Sequence, residues 1–493
     1  MTECERLIKE GFLPREFFKE EVICDYLVTE KQKKIWAIQL DLLVRFSEVC
    51  NKHGLRWFVF LGTLLGSIRH QGFIPWDDDI DIVMPRDDYE KLMTLQDEFD
   101  DRYFLQNHLT DPGFAYTVGR LCNLNTTFID RKFRNGKWRM GICIDIAVLE
   151  PWDSNVKADD PRVQRIRKIC RDLATVMRKD TPDLSPEDKK RVEELECDDI
   201  IKMHEELRIL EKSCMGERPD SWQIITQPSA NAWENNYSNE EIFPLQKRMF
   251  NGYEVNVPND FLSMLWKNYK GSLGYIDKEH RGMWHGNFGF DPDKSYKDLT
   301  NEEREHLWDE KEEDAIKNKR VNRSFDGSEI KPGHDQEKPL FGTEEYSSYL
   351  LSCKKKTDIP ESWDKIIRRE DGSYKKVMLY CTTAGKLLGE KRMLDKMREN
   401  FELFRENSDK IALIWRPEPG VAEIVAMLNA DLAVKYNEIV TWFKENHIGI
   451  YDDSADVDRA VAIADAFYGD ESTVTSMCVE KGIPAMIQSA DVL

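Results

Sequence analysis

The feature that most constrains the fold is a run of aspartates that alternates with apolar residues. Residues 77–81 hold four carboxylates, and their mutual repulsion is costly unless water or a cation relieves it. Asp79 and Asp81 alternate with isoleucines, so we predict a strand over 79–83 with both carboxylates on one face. Two oxygen ligands on a rigid strand suit a hard divalent cation, which predicts a Mg2+ or Mn2+ site. The two preceding aspartates are expected to support this site or cap a helix, and a surface acidic loop is the alternative interpretation.

A second alternating segment supplies a third acid. Residues 141–148 place four aliphatic side chains on one face of a strand and Asp145 on the other, among small residues. An unpaired carboxylate is costly to bury, so Asp145 is expected to meet a cation. We therefore predict that Asp79, Asp81 and Asp145 are the metal ligands and the catalytic residues. Asp145 is also the candidate to accept the proton of an attacking hydroxyl.

The residues before the aspartates predict a phosphate-binding element. A short aromatic strand over 56–61 leads into Gly62-Thr63 and then into a helix that ends near Ile68. Backbone N–H groups and hydroxyls at such a strand–turn–helix junction bind phosphates in many proteins. Gly62, Thr63 and Ser67 are accordingly predicted to hold phosphate groups.

Two arginines and a Gly-rich segment add candidate substrate contacts. Arg69 and Arg120 are predicted to clamp phosphate oxygens, because the guanidinium fork matches that geometry. For Arg69, a surface ion pair with the aspartates is the alternative. Arg281 and His285 are predicted to contact the acceptor or the nucleotide, with a solvated loop as the alternative. Core packing is favoured over stacking on a base or a quaternary ammonium group for the nearby aromatic residues, which are Trp57, Phe73 and Trp76.

Composition narrows the class of protein and of partner. The chain of 493 residues is long enough for two to four domains, and its net charge of -21 disfavours nucleic acid as a partner. The 11 cysteines are scattered and include no CxxC pair, which predicts reduced thiols. No apolar run resembles a signal peptide or a membrane span. We expect a cytoplasmic protein, and association with the inner face of the membrane stays open.

The remaining pattern divides the chain into three parts. An α/β catalytic domain is expected over 1–296, with a helical insertion near 155–240 and a hairpin that turns at Asn251-Gly252. Residues 297–371 are charged enough to form a polar helix and a linker. Strands that alternate with helices over 372–493 predict a parallel, Rossmann-like α/β domain.

The first motif resembles that of a known family. Residues 62–82 (GTLLGSIRHQGFIPWDDDIDI) closely resemble the signature of LicD proteins, a family of bacterial phosphocholine transferases that also includes the fukutin and fukutin-related ribitol-phosphate transferases. Parts of 120–148 and 243–281 resemble later segments of the same family, so the resemblance covers roughly residues 30–290. Asn251 departs from the family, which usually has an acidic residue before this glycine. The resemblance implies a nucleotidyltransferase-like mixed sheet with helical insertions, Mg2+ and a CDP-activated donor.

The C-terminal part is similar, less closely, to the nucleotide-binding half of GT-B enzymes of the CDP-glycerol glycerophosphotransferase type. The matching segments are 415–419, 449–453, 468–473 and 482–484. Those enzymes usually carry His where this chain has Glu418, and Ser-Ser where it has Ser472-Thr473. An acid beside a diphosphate repels it. This half is therefore predicted to be non-catalytic and to bind a ligand, recruit glycan machinery or mediate oligomerisation.

These observations and resemblances together predict an enzyme. It is expected to move phosphocholine, or a glycerol or ribitol phosphate, from a CDP-alcohol to a sugar hydroxyl, with release of CMP. The expected acceptor is a cell-surface glycan, such as lipopolysaccharide or teichoic acid, or its lipid-linked precursor. Two alternatives stay open: a nucleotidyltransferase that releases pyrophosphate, and a non-catalytic scaffold of a glycan pathway. A peripheral membrane or glycan-assembly partner and a homo-oligomer also stay open.

Overall fold

The chain forms two compact units. The computed structural model describes residues 1–23, 26–134, 136–179, 184–225, 236–269, 288–308, 359–418, 420–453 and 457–488. The first unit comprises Met1–Met264 and His280–Val321, and the second comprises Leu265–Glu279 and Asn322–Leu493. The functional domain boundaries near residues 296 and 371 stay predictions.

The first unit combines helices with a mixed sheet. Its strands are β1 Glu21–Ile23, β2 Tyr26–Val28, β3 Phe58–Val59, β4 Asp81–Pro85, β5 Tyr103–Gln106, β6 Gly119–Asn123, β7 Thr127–Asp130, β8 Ile142–Trp152, β9 Ser221–Ile225, β10 Gln246–Phe250, β11 Tyr253–Val257 and β12 Phe288–Asp291. The helices up to residue 305 are α1 Glu3–Lys9, α2 Glu30–His53, α3 Leu61–Arg69, α4 Arg86–Leu92, α5 Pro161–Arg178, α6 Pro186–Glu193, α7 Ile200–Cys214, α8 Asn239–Ile242, α9 Phe261–Tyr269 and α10 Asn301–Glu305.

Strand β8 is the centre of the main sheet. The strand order is β3-β4-β8-β6-β5, and β9 also pairs with β8. Strand β8 runs parallel to β4 and antiparallel to β6 and β9. The alternation in its sequence is confirmed, because Ile142, Ile144 and Ile146 are fully buried while Asp145 is partly exposed. The prediction of an α/β fold with a mixed sheet is thus confirmed.

Two element boundaries near the acidic run differ from the predictions. The strand predicted over 79–83 begins only at Asp81, so Asp79 precedes it. The backbone carbonyls of Asp77 and Asp78, just before the predicted strand, accept hydrogen bonds from side chains of α2. The strand predicted over 56–61 shortens to two residues, and α3 already begins at Leu61.

The helical insertion and the hairpin appear where they were predicted. Helices α5, α6 and α7 occupy much of residues 155–240, although the sequence pattern missed strand β9. Strands β10 and β11 form an antiparallel hairpin that turns at Asn251 and Gly252. Both turn residues have positive φ, at 46° and 87°, which are values that Asn and Gly tolerate.

The second unit contains the predicted parallel sheet. Its helices from residue 361 onward are α11 Glu361–Ile367, α12 Ala384–Gly389, α13 Met393–Glu406, α14 Val421–Leu428, α15 Ala430–Glu445, α16 Val457–Ile463 and α17 Thr473–Glu480. Its strands are β13 Lys376–Thr382, β14 Ile411–Pro417, β15 Ile450–Tyr451, β16 Ala466–Gly469 and β17 Ala485–Ile487. They form a sheet of order β15-β14-β13-β16-β17, and every pairing in it is parallel. The GT-B resemblance of this unit stays a prediction.

Within the described ranges, none of the helices combines the length and the apolar composition needed to cross a membrane.

Candidate active site

Three charged side chains line up across the main sheet. Asp81 on β4 is the register partner of Asp145 on β8, and Asp145 is in turn the partner of Arg120 on β6. Residues paired across neighbouring strands project from the same face of a sheet. The predicted proximity of Asp81 and Asp145 therefore follows from the observed register.

Arg120 contacts the acidic pair directly. Its Nε donates a hydrogen bond of 2.6 Å to Oδ1 of Asp145. The guanidinium also lies 4.2 Å from the ring centroid of Tyr116, and 5.3 Å from those of Phe114 and Phe128. Burial is the largest single effect and lowers the pKa of Arg120, but the charge and the hydrogen bond of Asp145, together with Cys143 and Tyr116, raise the pKa well above its usual value. Only 5% of the residue is exposed, and its observed role is to orient Asp145; its contact with phosphate stays a prediction.

Helix α2 fixes the backbone of the acidic run. The side chains of Gln32 and Trp36 both donate hydrogen bonds to the carbonyl of Asp77, at 3.2 and 2.9 Å. One turn further along, Gln39 donates to the carbonyl of Asp78 at 2.8 Å. These three residues are spaced by four and three positions, so they lie on one face of the helix. These three neutral side chains thereby fix the backbone of Asp77 and Asp78.

Exposure distinguishes the adjacent aspartates. Asp77, Asp79 and Asp81 are partly exposed, whereas Asp78 is buried. This alternation is that of an extended backbone with three carboxylates on the accessible side. Asp77, which was predicted only to support the site, therefore shares the accessible side with the two predicted ligands.

Gly62 allows the carboxylate of Asp77 to approach α3. A Cβ atom at position 62 would overlap the Oδ2 atom of Asp77. A side chain at this position would therefore displace the carboxylate. Gly62 contributes to the site through this close approach, and the sequence had suggested only a contact with phosphate.

The two hydroxyls predicted to hold phosphate are engaged within the protein. Oγ1 of Thr63 accepts a hydrogen bond of 2.9 Å from the backbone nitrogen of Asp81, and thereby joins α3 to the start of β4. Ser67 donates its hydroxyl to the carbonyl of Leu64 at 2.7 Å. Both residues are 2% exposed, and their contact with phosphate stays a prediction.

The remaining predicted contacts fall into two groups. Arg69 is 5% exposed, and its guanidinium lies 5.8 Å from the ring centroid of Trp76. Its two interpretations, a phosphate clamp and an ion pair with the aspartates, both stay predictions. Arg281 and His285 lie outside the described residues. The preference for core packing is confirmed by the burial of three aromatic residues, Trp57, Phe73 and Trp76.

The hairpin turn contributes a residue whose role the sequence did not reveal. Oδ1 of Asn251 accepts a hydrogen bond of 2.9 Å from the backbone nitrogen of Phe73, and the nitrogen of Asn251 donates to the carbonyl of Gln71 at 2.7 Å. A Cβ atom on Gly72 would overlap Oδ1 of Asn251. The backbone of the loop at Gly72 therefore packs directly against the side chain of Asn251. The Asn251-Gly252 sequence predicted the turn, but it did not indicate that Asn251 would bond the backbone of Phe73. The turn thus braces the loop that leads into the acidic run.

The carboxylates fit a metal that completes its coordination with substrate and water. Among the residues that the structure describes, no group of three or more His, Cys, Asp or Glu is placed to hold a metal ion. A cage of three protein ligands is therefore not preassembled. Mg2+ is usually bound by one or two carboxylates together with substrate phosphates and several waters. The paired and partly exposed side chains of Asp81 and Asp145 match that requirement.

Comparison with known proteins identifies a family model that matches the part of the chain containing this site. Residues 54–160 match the family model described as the LicD/FKTN/FKRP nucleotidyltransferase domain. This segment is a LicD-type domain. The match spans β3 to β8 and includes the LicD motif, the Asp81–Asp145 pair and Arg120. The hairpin of β10 and β11, which contacts the loop before the acidic run, lies C-terminal to the matched residues.

Three curated relatives are similar to part of this chain. The lipopolysaccharide cholinephosphotransferase LicD of Haemophilus influenzae is 33% identical over 132 residues, which are 26% of this chain and 48% of the relative. An uncharacterised protein of Rickettsia prowazekii is 40% identical over 82 residues, or 16% of this chain and 29% of that protein. An uncharacterised protein of Rickettsia typhi is 39% identical over 64 residues, which are 13% of this chain and 19% of that protein. The chain thus spans about half the length of the first relative and less than a third of the other two.

Proposed function

We propose that the first unit is a Mg2+-dependent phosphotransferase that moves phosphocholine, or a glycerol or ribitol phosphate, from a CDP-alcohol to a glycan hydroxyl. The observation that carries this proposal is the register pair of Asp81 and Asp145 within a LicD-type domain. The similarity to a lipopolysaccharide cholinephosphotransferase supports phosphocholine as the group and a lipopolysaccharide as the acceptor.

Asp81 and Asp145 are the residues that would hold the metal, and Asp79 is the candidate third ligand. A bound Mg2+ supplies positive charge against the diphosphate of the donor. The chain contributes rigidity, because the carboxylates project from adjacent strands and the preceding loop is fixed by α2. Such prior positioning lowers the cost of assembling the reactants.

The reaction is a displacement at phosphorus. The acceptor oxygen forms a bond to the phosphorus that carries the alcohol, the bond from that phosphorus to the oxygen of CMP breaks, and CMP leaves with the electron pair. The hydroxyl proton passes to a base. The hydrogen bond from Arg120 occupies Oδ1 of Asp145 and orients the carboxylate, whose second oxygen would remain for the metal or the proton.

A donor screen tests the proposal. The purified protein is supplied with CDP-choline, CDP-glycerol or CDP-ribitol, Mg2+ and lipopolysaccharide, and CMP release is scored with and without EDTA. We expect CMP release that needs the metal and falls at least about 100-fold in Asp81→Asn and in Asp145→Asn. Asp87→Asn, an exposed aspartate on α4, is the matched control and should keep full activity. Unchanged turnover in both site variants with intact folding would sink the assignment.

The same site serves a nucleotidyltransferase, which the description of the family model favours as the second candidate. That reaction attaches a nucleoside monophosphate and releases pyrophosphate from a nucleoside triphosphate. Product analysis separates the two, since released CMP supports the phosphotransferase and released pyrophosphate supports the alternative. Calorimetric titration with CDP-choline and Mg2+ addresses the scaffold interpretation, which predicts no binding of any CDP-alcohol.

A further inference from the structure

Two cysteines lie directly opposite each other beside the candidate active site. Cys122 on β6 is the register partner of Cys143 on β8, and both residues carry free thiols. Among the described strand pairings, no other sets two cysteines opposite each other. Side chains two positions apart share a face of a strand, so the neighbouring pair on this face is Arg120 with Asp145. The thiol pair therefore adjoins a predicted metal ligand.

The geometry of this pair suits a disulfide. Residues directly opposite each other on antiparallel strands have Cα atoms about 4.5–5.5 Å apart, and disulfides span Cα distances of about 4.4–6.8 Å. The Cβ atoms of such a pair are about 4.5–5.5 Å apart and must approach to about 3.8 Å when the bond forms. The thiols of Cys122 and Cys143 already interact with each other. Bond formation therefore needs a local displacement of the two strands and no rearrangement of the sheet.

Cys143 is the thiol that a small oxidant reaches first. The side chain of Asp145, two residues along the same face, is 33% exposed. Cys143 is 9% exposed, whereas Cys122 is only 1% exposed. An oxidant that approaches beside the carboxylate of Asp145 therefore reaches Cys143 before Cys122. Cys122 then lies in the position of a resolving thiol, which completes a disulfide after its neighbour has been oxidised.

The surroundings of Cys122 favour its return to the thiol state. Its thiol donates a hydrogen bond of 3.4 Å to Oε1 of Gln106. The amide nitrogen of Gln106 donates to Oδ2 of Asp111 and to the carbonyl of Arg139, both at 2.9 Å, and these bonds fix the orientation of the amide. Oxidation of Cys122 removes the thiol proton, so that Oε1 of the fully buried Gln106 loses this donor. This loss opposes the disulfide and makes it easier to reduce.

We propose that Cys122 and Cys143 form a reversible disulfide that slows the transfer reaction, with hydrogen peroxide as the oxidant. Sγ of Cys143 attacks one peroxide oxygen, the O–O bond breaks, and the thiol proton leaves with the other oxygen as water. Sγ of Cys122 then attacks the sulfenic sulfur, the S–O bond breaks, and a second water carries away the hydroxyl and the proton of Cys122. The two sulfurs together lose two electrons, which reduce the peroxide. The inference rests on the proposed function only for its effect on the rate.

The disulfide acts on the candidate site through the strands that it joins. Closing the gap between the Cβ atoms draws β6 and β8 together one pair away from the contact of Arg120 with Asp145, which measures 2.6 Å between free thiols. The carboxylate of Asp145 moves with its strand. A displacement of about 1 Å can lower a rate about 100-fold. Oxidation of the thiols therefore lowers activity without a chemical change at any carboxylate.

Peptide mapping tests the bond itself. The full-length protein is treated with hydrogen peroxide, its remaining thiols are blocked with N-ethylmaleimide, and it is digested with trypsin. The tryptic peptides 121–131 and 140–157 each contain one of the two cysteines and no other. We expect mass spectrometry to find these peptides joined after peroxide treatment and separate after dithiothreitol.

Rates test the effect on the site. For the wild type, we expect CMP release from CDP-choline, at saturating Mg2+ and lipopolysaccharide, to fall at least about tenfold after peroxide and to recover with dithiothreitol. Cys122→Ala and Cys143→Ala should each lose this response, whereas Cys170→Ala, at a buried cysteine of α5, should keep it. The ratio of treated to untreated rate is taken within each protein, so that any direct effect of a substitution cancels.

Three results would overturn the proposal. They are the absence of the joined peptides, joined peptides with an undiminished rate, and equal sensitivity to peroxide in the wild type and Cys143→Ala. Peptide mapping needs no turnover, so it still decides whether the disulfide forms if no donor releases CMP and the proposed function fails. Calorimetric titration of the oxidised and reduced proteins with Mg2+ then replaces the rate, and equal affinities would overturn the effect on the site.

Discussion

Oδ1 of Asn251 lies 2.9 Å from the backbone nitrogen of Phe73, a residue 178 positions earlier in the chain. Through this bond the hairpin turn holds the loop that enters the acidic run. We expect Asn251→Ala to lower the transfer rate about tenfold and the free energy of unfolding by about 1–2 kcal/mol, because it removes an acceptor and a residue that tolerates positive φ. Asn251→Asp keeps both properties and should restore the rate. Urea unfolding and initial rates measure the two effects, and an inactive Asn251→Asp protein that folds normally would contradict this role.

Gly62→Ala should damage the site, because the added methyl group overlaps the Asp77 carboxylate. We expect a cost of about 1–3 kcal/mol in the free energy of unfolding and a loss of Mg2+-dependent activity beyond what the unfolded fraction explains. Gly389→Ala is the control, since a Cβ atom there meets no atom within 4 Å. Chemical denaturation together with rates at saturating Mg2+ measures both effects. Full activity in Gly62→Ala would show that the position of Asp77 is unimportant.

Arg120→Lys should weaken the response to metal. Lysine keeps a positive charge but lacks the planar guanidinium that both bonds Asp145 and stacks on Tyr116. We expect the Mg2+ concentration for half-maximal rate to rise roughly tenfold, while the protein stays folded. Arg45→Lys, at a partly exposed arginine of α2 that pairs with Glu48, is the control. An unaltered Mg2+ dependence in Arg120→Lys would remove Arg120 from the site.

The stability of the second unit should depend on the ionisation of Asp470. Burial raises the pKa of this carboxyl to about 6, although hydrogen bonds from Gln488 and Thr383 oppose the shift. The folded state therefore binds the proton more tightly than the unfolded state, so stability falls as pH rises from about 4 to about 6. We expect the corresponding drop in Tm to be about 5 °C or more, and Asp470→Asn to abolish most of it. Calorimetry across this pH range measures the effect, and a Tm that rises equally steeply in both proteins would contradict it.

Local sequence patterns predicted much of this architecture. The apolar stripe of α2, the alternation of β8, the Asn-Gly hairpin turn and the parallel sheet of the second unit all depend on residues close in sequence. Asp145 could be paired with the acidic run for the same reason, since a lone acid in an apolar strand needs a partner.

The roles that could not be predicted depend on contacts between distant segments. Thr63 bonds the backbone of Asp81 and Gln39 bonds that of Asp78, across 18 and 39 residues. Arg120 was assigned to phosphate because its charge was visible, but its bond to Asp145 spans 25 residues and depends on the pairing of β6 with β8.

The face of α2 that carries Gln32, Trp36 and Gln39 sets a lower limit on the size of an active fragment. The LicD-type match begins at residue 54, after this helix has ended. A truncated protein cut at that point would keep every carboxylate of the site and lose three of the side-chain donors that hold their backbone. Fragments used for assay or for engineering of this domain should therefore start before Glu30 and extend through Val257, where the bracing hairpin ends.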